Sequence, residues 1–256
     1  FKKTYGDKYD FGLYFGYAME HGGSWMRMLY GGHLGFGRVL AEAPLNLISC
    51  PASYSLRRSY QSHAFMNTPS SAALHGIRSM FENDVRNYAY PLVGDSSGST
   101  IYSMRDSLVN DSRQMLFAAC HGAVVRYLAL AEGMDWFALP QSIEQIARDN
   151  ARNQKLLPAE LGMPGQLVLA IDPLSWVRAA DSGFAEPKWG EFVSNVRDTV
   201  MRSGRSVAFC VLDDVLANPG KWKNAVIPAP ALLDQDKLAR LEKMFGPLPT
   251  DRKSVV

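Results

Sequence analysis

Apolar and polar positions in this chain alternate between two spacings. Short apolar or aromatic runs at 11–17, 45–50, 78–81, 124–130, 167–171, 206–212 and 225–227 are bounded by Gly, Pro or charged residues, the pattern of buried strands. Between them lie segments with helical spacing. Residues 33–43 carry Leu34, Phe36, Val39 and Leu40 and are followed by Pro44. Residues 104–121 carry Leu108, Met115, Leu116 and Ala119 and stop at Gly122. A short helical connection at 70–76, a helix opened by Pro140 and running to 157, a helix at 189–202 capped by Ser203-Gly204, and a helix at 234–245 with Leu238, Leu241 and Met244 complete the series. Strands alternating with helices predict an α/β chain with parallel sheets and right-handed crossovers.

The alternation breaks once, at 158–166, where Gly162, Pro164 and Gly165 read as a linker. It divides the chain into a first unit, 1–158, with four strand–helix repeats, and a smaller unit, 167–256, patterned as an open doubly wound sheet. The polar stretch from Asn87 through Gly94-Asp95-Ser96-Ser97-Gly98 is long for a loop within a compact domain and reads as a functional loop. The chain opens at Phe1, close to a strand, and stops at Lys253-Ser254-Val255-Val256, which reads as a strand beginning. The expectation is a fragment of a longer protein.

Composition narrows the classes. With 47% hydrophobic and 20% charged residues the chain is ordinary globular material, and a net charge of +2 without a basic run gives no field for nucleic acid. No apolar stretch is long enough to span a bilayer. Cys50, Cys120 and Cys210 are far apart, in apolar segments and without metal-ligand spacing, and are expected to be buried free thiols. No metal or cofactor is expected.

The chemistry concentrates where strands end. The run 78–81 breaks into Glu82-Asn83-Asp84-Val85-Arg86, so a strand end would hold the Glu82 carboxylate rigidly in a polar cleft. The same charges also suit a solvated ion-pair cluster leaving a sheet. Tyr17 and Glu20 follow the first strand, Tyr54, Arg57 and Arg58 the second, and Trp136 the fourth.

These phrases in this order carry a resemblance. FGLYFGY, HLGFGRVLAEAPLNLISCPASYSLRR and LHGIRSMFENDVRNY resemble the second half of the barrel of β-galactosidase-like enzymes around glycoside hydrolase family 42. Relatives there show a strand with Tyr-Gly-Tyr, then Ser-Pro-x-Ser-Tyr-x-x-Arg, His-Gly-Lys and Glu-x-Asp-x-Arg. The segments DTVMRSGRSVAFCVLDDV and WKNAVIPAPALLDQDKLARL resemble that family's flavodoxin-like second domain, which is used in trimer formation. The resemblance implies the C-terminal half, strands five to eight, of a (β/α)8 TIM barrel followed by a flavodoxin-like domain, and a homotrimer. It implies retaining hydrolysis of β-linked sugars, with Glu82 as nucleophile and an acid/base on a strand upstream of Phe1. Tyr17, Glu20, Tyr54, Arg57, Asp84, Arg86 and Trp136 are then candidates for binding a carbohydrate substrate. The chain departs from its relatives at Ile77, where they carry Lys, and along 125–130, where they place Trp and Asp. A non-catalytic carbohydrate-binding or assembly protein, and a flavin or nucleotide binder centred on Asp172, Asp213 and Asp214, are the competing readings.

Overall fold

The chain folds into two parallel sheets, seen in a computed structural model that describes residues 10–20, 30–58, 60–89, 101, 103–129, 136–156, 167–175, 177–178, 186–228 and 232–247. β1 (Gly12–Tyr14), β2 (Leu47–Pro51), β3 (Arg78–Asn83) and β4 (Val124–Tyr127) form one sheet in chain order. β5 (Leu167–Ile171), β6 (Val207–Val211) and β7 (Asn224–Val226) form the other, with β5 in the middle. The helices are α1 (Phe36–Glu42), α2 (Pro69–Leu74), α3 (Met104–Cys120), α4 (Pro140–Leu156), α5 (Glu186–Arg202), α6 (Leu212–Ala217) and α7 (Gln235–Phe245). Their ends follow local chemistry. The Ser103 hydroxyl accepts the Asp106 amide at 3.0 Å to open α3, and Asp234 accepts the Lys237 amide at 2.9 Å to open α7.

Strand parity decides what each face of the first sheet meets. Register places Gly12, Leu47 and Arg78, then Tyr14, Ser49, Met80 and Val124, then Pro51, Glu82 and Arg126 on one face. Ile48, Cys50 and Phe81 point the other way and are fully buried, against Phe36 and Leu40 of α1, Ala72 of α2 and Ala118 of α3. All three helices therefore lie on one side. The opposite face has no helix among the described residues, and Tyr14, Arg78, Val124 and Arg126 on it are exposed. Arg126 of β4 donates to the Tyr14 hydroxyl of β1 across that face. In a flat sheet those strands would stand three spacings apart, about 14 Å, so the contact marks a sheet curled toward its uncovered side.

The second sheet is covered on both faces. Val193 and Val200 of α5 pack on Leu169, Ile171, Val207 and Phe209, while α6 and α7 pack on Val168, Ala170, Ala208 and Cys210. The two units share one core, in which Phe65 meets Phe209 edge-on with ring centroids 6.4 Å apart. β6 is an edge strand, and its outward amides are not left open. Phe209 N donates to Ser70 Oγ at 3.0 Å and Val211 N to Ser71 Oγ at 2.8 Å, so two hydroxyls of α2 stand in for a neighbouring strand.

Several expectations need adjusting. The strand expected at 11–17 shrinks to Gly12–Tyr14, because Gly16 turns the chain at φ 86 with the Phe36 ring where a side chain would stand. The apolar run 206–212 stops being strand at Val211. Leu212, Val215 and Leu216 bury at helical spacing, with Asp213 and Asp214 suiting the N-terminal end of α6. Cys120 is exposed rather than buried, since it ends α3 on the solvent side, and all three cysteines are free. The linker 158–166, the exit residues 131–135, most of the polar stretch after Asn87 and both chain ends lie outside the described residues. Among the described residues no helix is long and apolar enough to cross a membrane.

Candidate functional site

Parallel strands deliver all their C-terminal ends to one rim, and that is where the residues singled out by sequence collect. Glu82 is the penultimate residue of β3, a central strand, and is only 7% exposed. Its backbone carbonyl accepts the Ala52 amide at 2.9 Å, which ties the exit of β2 to it. On the uncovered face its side chain neighbours Tyr14. Burial raises the pKa of that phenol, and a hydrogen bond and charge from Glu82 add to the rise, while Arg126 opposes it. Tyr14 is thus the polar contact between a carboxylate and a guanidinium.

Tyr17 lies three residues beyond β1, where its ring stacks on His33 at 4.5 Å. His33 in turn accepts the Gly16 amide on Nδ1 at 3.0 Å. Burial raises the Tyr17 pKa, and the fields of Cys50, Tyr54, Glu82 and Tyr14 all add to it. Tyr17, Tyr54, Tyr14 and Glu82 therefore belong to one electrostatic neighbourhood. The Tyr54 ring lies 4.4 Å beneath the Arg57 guanidinium, and its phenol is also raised, by burial first and then by Asp84. Arg57 Nη1 pairs with Asp84 Oδ1 at 2.5 Å, both side chains buried. Burial pushes Asp84 up, and the charges of Arg57 and Arg86 pull it back. Arg86 thus faces Asp84 electrostatically, and its carbonyl accepts the Ile101 amide at 2.9 Å.

Two candidates occupy less open positions. Glu20 is buried, with Oε1 accepting the Ser55 amide at 2.8 Å and Oε2 accepting the Ser53 hydroxyl and Arg197 Nη2, the latter at 2.8 Å. Trp136 is 2% exposed, its Nε1 donates to the Val85 carbonyl at 3.0 Å, and its own carbonyl accepts Asn87 Nδ2 at 2.8 Å. The indole therefore braces the chain leaving β3, and its faces are covered by protein.

Behind Glu82 the sheet's other face, apolar at Ile48, Cys50 and Phe81, carries the polar side chain of Asn83. Asn83 donates to Asp111 Oδ1 of α3 at 2.8 Å and accepts the Val85 amide at 3.1 Å, which fixes the strand exit. Burial and the nearby Asp149 raise Asp111 to about 7 although Asn83 stabilises its charged form. In the second unit Asp172 is held by Arg178 at 2.8 Å and Lys237 at 3.2 Å, Asp213 by Lys237 at 2.8 Å, and Asp214 by His75 at 2.8 Å. Asp172 and Asp213 are therefore ion-paired, and Asp214 is bonded to the His75 ring. Among the described residues no group of three or more His, Cys, Asp or Glu side chains is placed to hold a metal.

Sequence reasoning missed Tyr14, Arg126, His33 and Arg197. Tyr14 and Arg126 share the face of Glu82 only through the inter-strand register. Arg197 had a local signal, a charge among Val193, Val196 and Val200 where helical spacing asks for an apolar side chain. Comparison with family models, curated proteins and solved structures finds no match for this chain.

Proposed function

We propose that this chain is the C-terminal half of a (β/α)8 barrel with a flavodoxin-like domain behind it, and that Glu82 is the nucleophile of a retaining glycosidase acting on β-linked sugars of the β-galactoside type. The observation carrying this reading is the position of Glu82. It stands at the C-terminal end of a central parallel strand, on the face that no described helix covers, beside a phenol that also holds a guanidinium. Barrel enzymes place catalysis on that rim.

Retaining hydrolysis uses one carboxylate to attack the anomeric carbon and a second carboxyl group to protonate the departing oxygen. Tyr14 contacts Glu82 on one side and the Arg126 guanidinium on the other. The other two acids of the rim, Glu20 and Asp84, are each tied to an arginine. The acid/base is assigned, as the family resemblance implies, to a barrel strand other than those described. Tyr17, Tyr54, Arg57 and Arg86 remain the proposed contacts for sugar hydroxyls, and a homotrimer built through the second unit remains part of the proposal.

A leaving group that departs without protonation tests the nucleophile alone. The chain is incubated with 2,4-dinitrophenyl 2-deoxy-2-fluoro-β-D-galactoside and its intact mass measured. The expected result is one covalent glycosyl ester, mapped by peptide digestion to Glu82 and absent in Glu82→Gln. No ester, or an ester elsewhere, refutes the assignment. A non-catalytic carbohydrate-binding protein is favoured by the engagement of Glu20 and Asp84 in ion pairs, and saccharide binding without ester formation would select it.

A further inference from the structure

Arg197 lies on α5, in the second unit, yet its hydrogen bonds end in the first. Its side chain is 0% exposed. Nη2 donates to Glu20 Oε2 at 2.8 Å, Ser53 Oγ at 3.0 Å and Ser55 Oγ at 3.2 Å. Nη1 reaches the carbonyls of Phe65 at 3.3 Å and Met19 at 3.5 Å. These acceptors lie on two rim segments, the one leaving β1 and the one leaving β2. A buried guanidinium is costly unless its charge and its donors are met, and here the charge and both Nη groups are met by the two loops that carry the candidate sugar contacts, while Nε has no partner among the described residues.

The mechanical consequence can be followed bond by bond. Glu20 lies three residues past Tyr17, and its carboxylate also accepts from Ser53 and from the Ser55 amide. Ser53 Oγ accepts the Leu56 amide at 3.1 Å, which folds the turn holding Tyr54. Tyr54 lies against Arg57, and Arg57 against Asp84, two residues past Glu82. The Met19 amide donates to the Met66 carbonyl at 2.9 Å, so the two segments are also tied to each other through the return of the second loop. The next residue of α5, Asp198, accepts the Ser62 hydroxyl at 3.0 Å, a second tie to the same loop.

We propose that Arg197 is a positioning residue through which the second unit sets the geometry of the sugar-binding rim. It touches no reacting atom. It neutralises Glu20 and, through its five-acceptor fork, holds Tyr17 on one loop and Tyr54 with Arg57 on the other at fixed places beside Glu82. The second unit is then part of the site and not only an assembly module. This inference rests on the proposed glycosidase rim for its functional meaning, and the experiment separates the two.

The full chain is labelled with 3-fluorotyrosine and the 19F resonances of Tyr17, Tyr54 and Tyr127 are assigned by Tyr→Phe substitution. Removing Arg197 alone strands the Glu20 charge, so the informative variant is the double change Glu20→Gln with Arg197→Met, which removes both charges together. Expected are a cooperative urea transition, Tyr17 and Tyr54 resonances that shift or broaden while Tyr127 stays, and at least a tenfold slower ester formation at Glu82. Arg197→Lys keeps the charge but loses the fork; it should move the same two resonances less, with an intermediate rate of ester formation. A folded double variant whose Tyr17 and Tyr54 resonances coincide with the parent's overturns the proposal, as does Arg197→Lys matching the parent in both readouts should the double variant not fold. If the parent forms no ester, the glycosidase reading fails, and the resonances alone still decide whether Arg197 sets the loops.

Discussion

Asp111 makes the sharpest physical test of how the strand behind Glu82 is held. The residue is 3% exposed on α3, one oxygen accepts Asn83 Nδ2 at 2.8 Å, and Oδ2 has no partner among the described residues. Asp149 on α4 adds a repelling field, and Tyr127 on β4 is the phenol facing the pair. Burial and that repulsion carry the carboxyl from its ordinary 3.8 to about 7. The sign follows from proton binding. Between those two values the folded chain keeps a proton that the unfolded chain has lost, so stability falls as pH rises and levels off above the folded value. The slope is about 1.4 kcal/mol per pH unit, which makes roughly 4 kcal/mol in all. Asp111→Asn keeps the shape and the acceptor for Asn83 but cannot ionise. Urea unfolding of both proteins at pH 4.5, 6 and 7.5 should show similar stability at the lowest pH and a growing advantage for Asp111→Asn, reaching roughly 2–4 kcal/mol at the highest. Parallel pH profiles for the two proteins would refute the reasoning, because every other titrating group is common to both.

Two further substitutions probe the frame of the rim. Gly16→Ala would put a methyl group 2.2 Å from a ring carbon of the fully buried Phe36 at φ 86, and should cost about 2–4 kcal/mol in thermal or urea unfolding, through overlap and a left-handed backbone. Ser70→Ala and Ser71→Ala each strand an edge amide of β6, Phe209 N and Val211 N respectively. Each should cost about 1–3 kcal/mol, and hydrogen exchange should quicken at the one amide whose acceptor was removed.

How much was legible depends on the range of the interaction concerned. The alternation of strands and helices and the helix stops at Gly122 and Gly204 are written in neighbouring residues, and they emerge in the structure within a few positions of where patterning puts them. The rim was legible too, since Glu82, Tyr17, Tyr54 and Trp136 all follow apolar runs, and parallel strands carry such residues to one end. The α6 helix was misread because Leu212-Asp213-Asp214 continues an apolar strand without a breaker, and only burial of Val215 and Leu216 against the second sheet turns it helical.

What the sequence by itself determined is therefore the local conformation and the order of the elements, because spacing, capping and turn chemistry act over a few residues. Tertiary structure alone decided which side chains share a face, that Tyr14 and Arg126 meet across four strands, that Trp136 is covered, and that Glu20 is answered by an arginine 177 residues away. Those outcomes depend on inter-strand register and on burial of charge. Both are energies of contact between distant segments, which no single stretch of the chain encodes.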